Sequence, residues 1–135
     1  VMVSWRLFAG DYFQSLALAK KPEIIFYDFY SIKAEPHLWS EETFRLLKTY
    51  LGTVPCELYT YSAATPVRLA LLLAGFNVGY GARTEMKTET TVAANTPSLI
   101  TSPLAKSWLD KLRVSSSITD EELRERGIRF LENYF

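Results

Sequence analysis

The sequence predicts an α/β domain in which a largely parallel sheet, flanked by helices, closes with an antiparallel hairpin. Three observations carry that prediction. Short apolar runs alternate with helix-period stretches, the signature of strands joined by crossover helices. The run "EIIFYD" (Glu23 to Asp28) is apolar nearly throughout, as suits a strand covered on both faces. After Gly75, the stretch "FNVGYGARTEMKTETTVAAN" alternates in polarity around Gly79 and Gly81, which reads as a final hairpin with an irregular glycine-rich turn.

The elements follow in order. "VSWRLFAGD" (Val3 to Asp11) reads as a strand ending in a polar Gly-Asp tip, and "YFQSLALAKK" as a short helix stopped by Pro22. "EIIFYD" is the second strand. Ser40 before Glu41 and Glu42 is a helix start, with a hydroxyl cap and acids in the first turn. That helix carries Phe44, Leu46, Leu47 and Tyr50 and ends at Gly52. "VPCELYTYS" is the third strand. Thr65-Pro66 reads as a cap followed by proline in the first turn, opening a helix over Val67 to Ala74. The expected organisation is a sheet unit over residues 1–95 and a tail over 96–135 with a short helix and a terminal helix. The terminal helix starts at Thr119-Asp120, with Glu122 in capping-box range.

Composition narrows the function. The 135 residues suffice for one core, and 48% apolar with 22% charged residues is ordinary for a globular domain. Fifteen basic residues balance fifteen acidic ones, so no global field draws the protein to nucleic acid, and only a local basic patch remains open. The longest apolar run, Leu69 to Phe76, falls well short of the roughly 20 residues of a membrane span. A cytoplasmic, reducing setting is expected, since Cys56 has no partner for a disulfide and reads as a small buried hydrophobe. With one histidine, His37, and one cysteine, no zinc site of the usual kind is expected.

Three strand tips are polar: Gly10-Asp11, Asp28 and Tyr61-Ser62. Ligands of such sheets sit beyond the carboxyl ends of the strands, so this edge is the candidate site. Asp28 stands out as a carboxylate at the end of an apolar strand. The plainer reading, a cap on the following loop, is the weaker of the two. For Asp11 a simple turn is an even alternative. Tyr30 and Lys33 suit a nucleotide entrance, by stacking and by phosphate pairing. Trp39 suits the same entrance or, equally, packing onto the helix it precedes. Arg83, Glu85 and Lys87 alternate and are expected on one face of the last strand, where the cations would meet a nucleic-acid backbone or simply blunt an edge. Arg68 sits one turn into its helix, where the dipole does not favour a cation. An anionic partner is one reading, and a surface position is the expectation.

Three blocks, "DFYSIKAEPHLWSEETF", "TYSAATPVRLALLLAGF" and "GYGARTEM", resemble in order the MnmC-type methyltransferase family. That family completes the 5-methylaminomethyl-2-thiouridine modification at the tRNA wobble position. Its pattern runs Asp, small residue, aromatic, Ser/Ala-Pro, a nearby lysine, Asn-Pro, acid, apolar, Trp-Thr. The tail "PLAKSWLDKLRVSSS" is similar to the family's last segment. The resemblance implies the C-terminal portion of a Rossmann-like methyltransferase sheet. It implies S-adenosylmethionine as cofactor and tRNA as partner. Asp28 would be catalytic, orienting the acceptor amine. Gly10, Asp11, Asp28 and Phe29 would hold the cofactor, with Asp11 at the adenine amino group. Tyr30, Ser31, Lys33, Trp39, Arg83 and Glu85 would line the substrate.

The sequence departs from the family at Ile32, where proline is usual, and at Phe29, bulkier than the common glycine or alanine. It departs again at His37 and at Arg83-Thr84-Glu85, which stands for Lys-Arg-Glu. The first strands, the glycine-rich cofactor loop and the ribose-binding acid have no counterpart in residues 1–135. The opening "VMVSWRLF" also reads as mid-strand. The expectation is therefore a partial chain, inactive alone, whose open sheet edge is covered by missing sequence, a second chain or another copy. The alternatives are a non-catalytic remnant that binds or assembles, and a methyltransferase for another small amine.

Overall fold

A computed structural model describes residues 1–86 and 89–135. Its regular elements are α1 (Tyr12–Leu16), β1 (Ile24–Phe26), α2 (Glu41–Leu51), β2 (Glu57–Thr60), α3 (Thr65–Leu73), β3 (Asn77–Tyr80), β4 (Thr91–Ala94), α4 (Trp108–Val114) and α5 (Glu121–Tyr134), with 3₁₀ turns at Pro36–Trp39 and Pro97–Leu99. The four strands form one mixed sheet in the order β1-β2-β4-β3. β1 and β2 are parallel, with Ile25 opposite Leu58. β4 inserts between β2 and β3 and runs antiparallel to both. The carboxyl ends of β1, β2 and β3 therefore share one edge, where β4 also begins.

The alternation of apolar runs with helical stretches thus yields the expected α/β sheet and closing hairpin. The caps follow local chemistry. Ser40 accepts from the Thr43 amide, Asp120 from the Leu123 amide, and Asp11 from the Gln14 amide. Helix α3 begins one position before the expected place. Ala64 is its cap and Pro66 lies in its first turn, so Thr65 is helical and makes no capping bond. Helix α1 is shorter than expected and ends at Leu16, before Lys20-Lys21.

One expected strand does not form. Residues 1–9 carry no regular structure, and Trp5 and Leu7 are 90% and 95% exposed. A β-branched, aromatic run becomes a strand only when another strand takes up its backbone groups, and β1, at the sheet edge, pairs with β2 alone among the described residues.

The core lies between the sheet and its helices. Phe44, Leu47 and Leu51 of α2 join Leu69, Leu71 and Leu72 of α3 and Leu58 and Val78 of the sheet. The same core takes in Leu104, Trp108, Leu112, Ile118 and Leu131 from beyond residue 96. Arg124 of α5 donates to the carbonyls of Leu112, Ser115 and Ile118, at 3.0, 2.9 and 2.5 Å, and so meets acceptors at the end of α4 and in the segment after it. Glu41 of α2 pairs with both Arg45 and Arg126, linking α2 to α5.

Two glycines permit close approach. A Cβ at Gly79 of β3 would lie 2.5 Å from the Ser102 carbonyl oxygen, so the segment bridging to β3 at Pro103 depends on hydrogen there. A Cβ at Gly127 of α5 would lie 2.8 Å from a Leu69 methyl carbon and 3.3 Å from one of Leu112. The variant Gly127→Val should lower the unfolding free energy by about 1–3 kcal/mol through overpacking. Urea denaturation checks this, and an unchanged midpoint would show that α5 does not seat on Leu69 as described.

Candidate active site at the carboxyl edge of the sheet

The parallel ladder continues past β1, because the Tyr27 amide donates to the Tyr59 carbonyl at 2.8 Å. The next residue, Asp28, is exposed at the strand tip. Its Oδ1 accepts the Tyr61 amide at 3.1 Å, so one carboxylate joins the tips of two neighbouring parallel strands. A carboxylate offers about four lone-pair directions over its two oxygens, so acceptor capacity is left over.

Tyr27 anchors this edge from below. It is buried, its hydroxyl donates to the Leu38 carbonyl, and its ring meets Phe29 and Trp39 edge-on at 4.8 and 5.3 Å. Tyr12 of α1 packs edge-on against Phe29 at 5.3 Å. Phe8, Gly10, Tyr12, Leu16 and Phe29 line a mostly apolar cleft of about 350 Å³. Gly10 and Phe29 are thus brought together, with Asp11 between Gly10 and Tyr12. Asp11 uses Oδ1 to cap α1 through the Gln14 amide at 3.0 Å.

The loop from Asp28 to Ser40 is held by its own hydrogen bonds. The Ser31 carbonyl accepts from the Ala34 and Glu35 amides at 2.9 and 3.1 Å. The hydroxyls of Ser40 and Thr43 both donate to the His37 carbonyl, at 2.9 and 2.6 Å. Trp39 is 3% exposed and donates from Nε1 to the Tyr30 carbonyl at 2.9 Å. Its ring packs inward against Tyr27 in a T-shaped contact and does not line an entrance. Tyr30 is 80% exposed, and Ser31 and Lys33 lie open beside it.

The last strand does not carry Arg83 and Glu85. The Gly81 amide closes the ladder on the Thr90 carbonyl at 3.1 Å, and the chain then leaves the sheet, so both side chains sit outside it, in the exposed stretch 82–86. Lys87 lies outside the described residues. Arg83 shares a polar cleft of about 590 Å³ with Tyr80, Gly81, Glu89 and Ser102 at the end of β3, apart from Asp28.

Arg68 overturns the surface expectation. It is 1% exposed. Its Nε donates to Thr91 Oγ1, one terminal nitrogen to Glu89 Oε2 and the other to the Thr90 carbonyl, each at 3.0 Å. Tyr80 lies under the guanidinium at 5.1 Å. Sequence reasoning missed Glu89 and Thr91 altogether. The available signal was a single cation inside the apolar helix "TPVRLALLL", a placement that requires buried acceptors. Among the described residues no cluster of histidine, cysteine, aspartate and glutamate is arranged to hold a metal, and no helix is long and apolar enough to cross a membrane.

Burial pushes the Tyr12 hydroxyl up to about 12, and it raises Tyr27 still further. It pushes the Cys56 thiol up to about 11. The unfolded chain ionises near the ordinary values of 9.0 for the thiol and 10.0 for the phenols, while the folded chain holds its protons. The stabilisation is therefore full below pH 9 and is lost as pH rises to about 11 for Cys56 and about 12 for Tyr12. Circular-dichroism melts from pH 8 to 11.5 should show a falling midpoint above pH ~9–10. A midpoint constant across that range would contradict the burial of these groups.

The family model for an S-adenosyl-L-methionine-dependent methyltransferase matches residues 2–96. The crystal structure of MNMC2 from Aquifex aeolicus is similar to this chain, with a TM-score of 0.63 and 26% sequence identity. The match covers 93% of this chain and 42% of that one, so this chain spans less than half the length of MNMC2. No curated protein matches the chain.

Proposed function

The chain belongs to the S-adenosyl-L-methionine-dependent methyltransferase family, and from that premise we propose that its carboxyl edge serves N-methylation of the aminomethyl group on a tRNA wobble uridine. The observation that carries the reading is Asp28, fixed between two parallel strand tips by the Tyr61 amide with acceptor capacity to spare. S-adenosylmethionine, when bound, supplies an electrophilic methyl group on a sulfonium. An amine attacks such a centre only when neutral, since an ammonium has no lone pair. A carboxylate at the strand tip is suited to accept one N–H, aim the lone pair and take up the proton as the new bond forms.

The residues present fit the adenosine end of the cofactor. Gly10, Tyr12 and Phe29 line an apolar cleft, and Asp11 is the residue between Gly10 and Tyr12. In this reading Gly10, Asp11, Asp28 and Phe29 hold the cofactor. Asp11 keeps one oxygen for the cap of α1 and turns the other toward the adenine amino group. The resemblance of residues 28–44 to the MnmC-type loop supports tRNA as the partner, and with it a cytoplasmic setting. Tyr30 offers a face for stacking on an unpaired base, and Lys33 a charge for its phosphate, with Ser31 between them. Arg83 and Glu85 lie on a separate connection and reach more distant parts of the same ligand. Trp39 contributes by holding the Tyr30 carbonyl.

The protein as encoded by its gene should transfer methyl groups to tRNA carrying an aminomethyl-uridine. Asp28→Ala should reduce kcat by about 10²–10⁴-fold with the melting temperature little changed. Full activity in that variant would remove Asp28 from the mechanism. Cofactor binding without transfer to any such tRNA would instead favour a binding module or another amine acceptor.

A further inference from the structure

The turn after β2 is held from two sides. On one side the Tyr61 amide donates to Asp28 Oδ1 at 3.1 Å. On the other, the Thr91 hydroxyl donates to the Ser62 carbonyl at 2.6 Å. Thr91 is 1% exposed, and its oxygen also accepts Arg68 Nε at 3.0 Å. A hydroxyl that accepts from a cationic N–H has its own hydrogen directed elsewhere and is a stronger donor for it. Arg68 therefore fixes which way the Thr91 hydroxyl points, and Thr91 fixes where residues 61–62 lie. Two bonds inside the turn add to the hold, from the Ser62 amide to Thr60 Oγ1 at 3.2 Å and from the Ala64 amide to Ser62 Oγ at 3.3 Å.

We infer that Arg68 and Thr91 are positioning residues for Asp28, acting through the Ser62 carbonyl and the Tyr61 amide and touching no ligand themselves. The chemical role of Asp28 rests on the function proposed above. The mechanical link from Arg68 to the Tyr61 amide does not. Glu89 and the Thr90 carbonyl hold the rest of the guanidinium and fix its orientation. Two substitutions interrupt the link at different points. Thr91→Val keeps the branched shape and removes the hydroxyl, and Arg68→Lys keeps the buried charge and removes the Nε donor.

The test is amide hydrogen exchange at Tyr61, followed by NMR on the protein as encoded, with Leu58 in mid-strand as internal reference. Thr91→Val and Arg68→Lys should each speed exchange at Tyr61 by about tenfold relative to Leu58, the effect of losing roughly one hydrogen bond. Thr91→Ser, which keeps the hydroxyl, should restore protection to within about twofold. In methyl-transfer assays the first two variants should lower kcat by about tenfold or more with KM for S-adenosylmethionine little changed. Unchanged Tyr61 exchange in whichever of the two variants folds would overturn the inference. Altered exchange together with a fully active Asp28→Ala would leave the link standing and sink the catalytic reading of Asp28 alone.

Discussion

The sheet edge depends on one buried cation. A guanidinium inside a protein costs several kcal/mol unless each of its nitrogens finds an acceptor, and removing one partner of such a group typically costs about 3–5 kcal/mol. Arg68 meets that condition with a hydroxyl, a carboxylate and a carbonyl from three consecutive residues, Glu89, Thr90 and Thr91. Those residues form the end of the long connection and the start of β4. The end of that connection is thereby fastened to α3. Lys111 of α4 approaches the same Glu89 oxygen at 3.8 Å, so the tail helix is drawn to the same point. The position of Arg68 near the start of α3 is unfavourable for a helix dipole, and the three acceptors outweigh it.

The aromatic cluster complements this polar fastening on the other side of the edge. Tyr27, Phe29, Trp39 and Tyr12 meet mainly edge-to-face, which holds ring directions more firmly than shapeless apolar contact. Trp39 and Tyr27 also spend their polar atoms on the loop backbone, at the Tyr30 and Leu38 carbonyls. The strand tip at Asp28 is therefore rigid from beneath while open above. That combination suits a group that must stay aimed at a ligand entering from solvent.

Much of this was legible in the sequence, and the failures share a cause. The strands at Ile24, Glu57, Asn77 and Thr91 follow from local polarity, and the helix starts at Ser40 and Asp120 from capping chemistry. Asp28 was found because an apolar run ended in a carboxylate. The strand expected at Val3 was misread because pairing is decided by what lies beside a segment, and nothing in "VSWRLFAGD" encodes its neighbour. Arg68 was misplaced because its partners lie 21 to 23 positions away, beyond the reach of any helical or strand period. Arg83 and Glu85 showed strand alternation in a stretch that the Gly81–Thr90 bond turns out of the sheet.

The insertion of β4 between β2 and β3 also sets an order in time. During synthesis the parallel pair β1-β2 and helix α3 emerge first, yet β2 has no partner on its second side until Ala94 has been made. The Thr91 hydroxyl that grips Ser62 belongs to a residue translated 29 positions later. The acceptors of Arg68 arrive with the same late segment. The strand-tip turn is therefore among the last parts of the sheet to take its final shape, and a ribosome-bound chain ending before β4 would display an unformed edge, with α2 and α3 already able to pack.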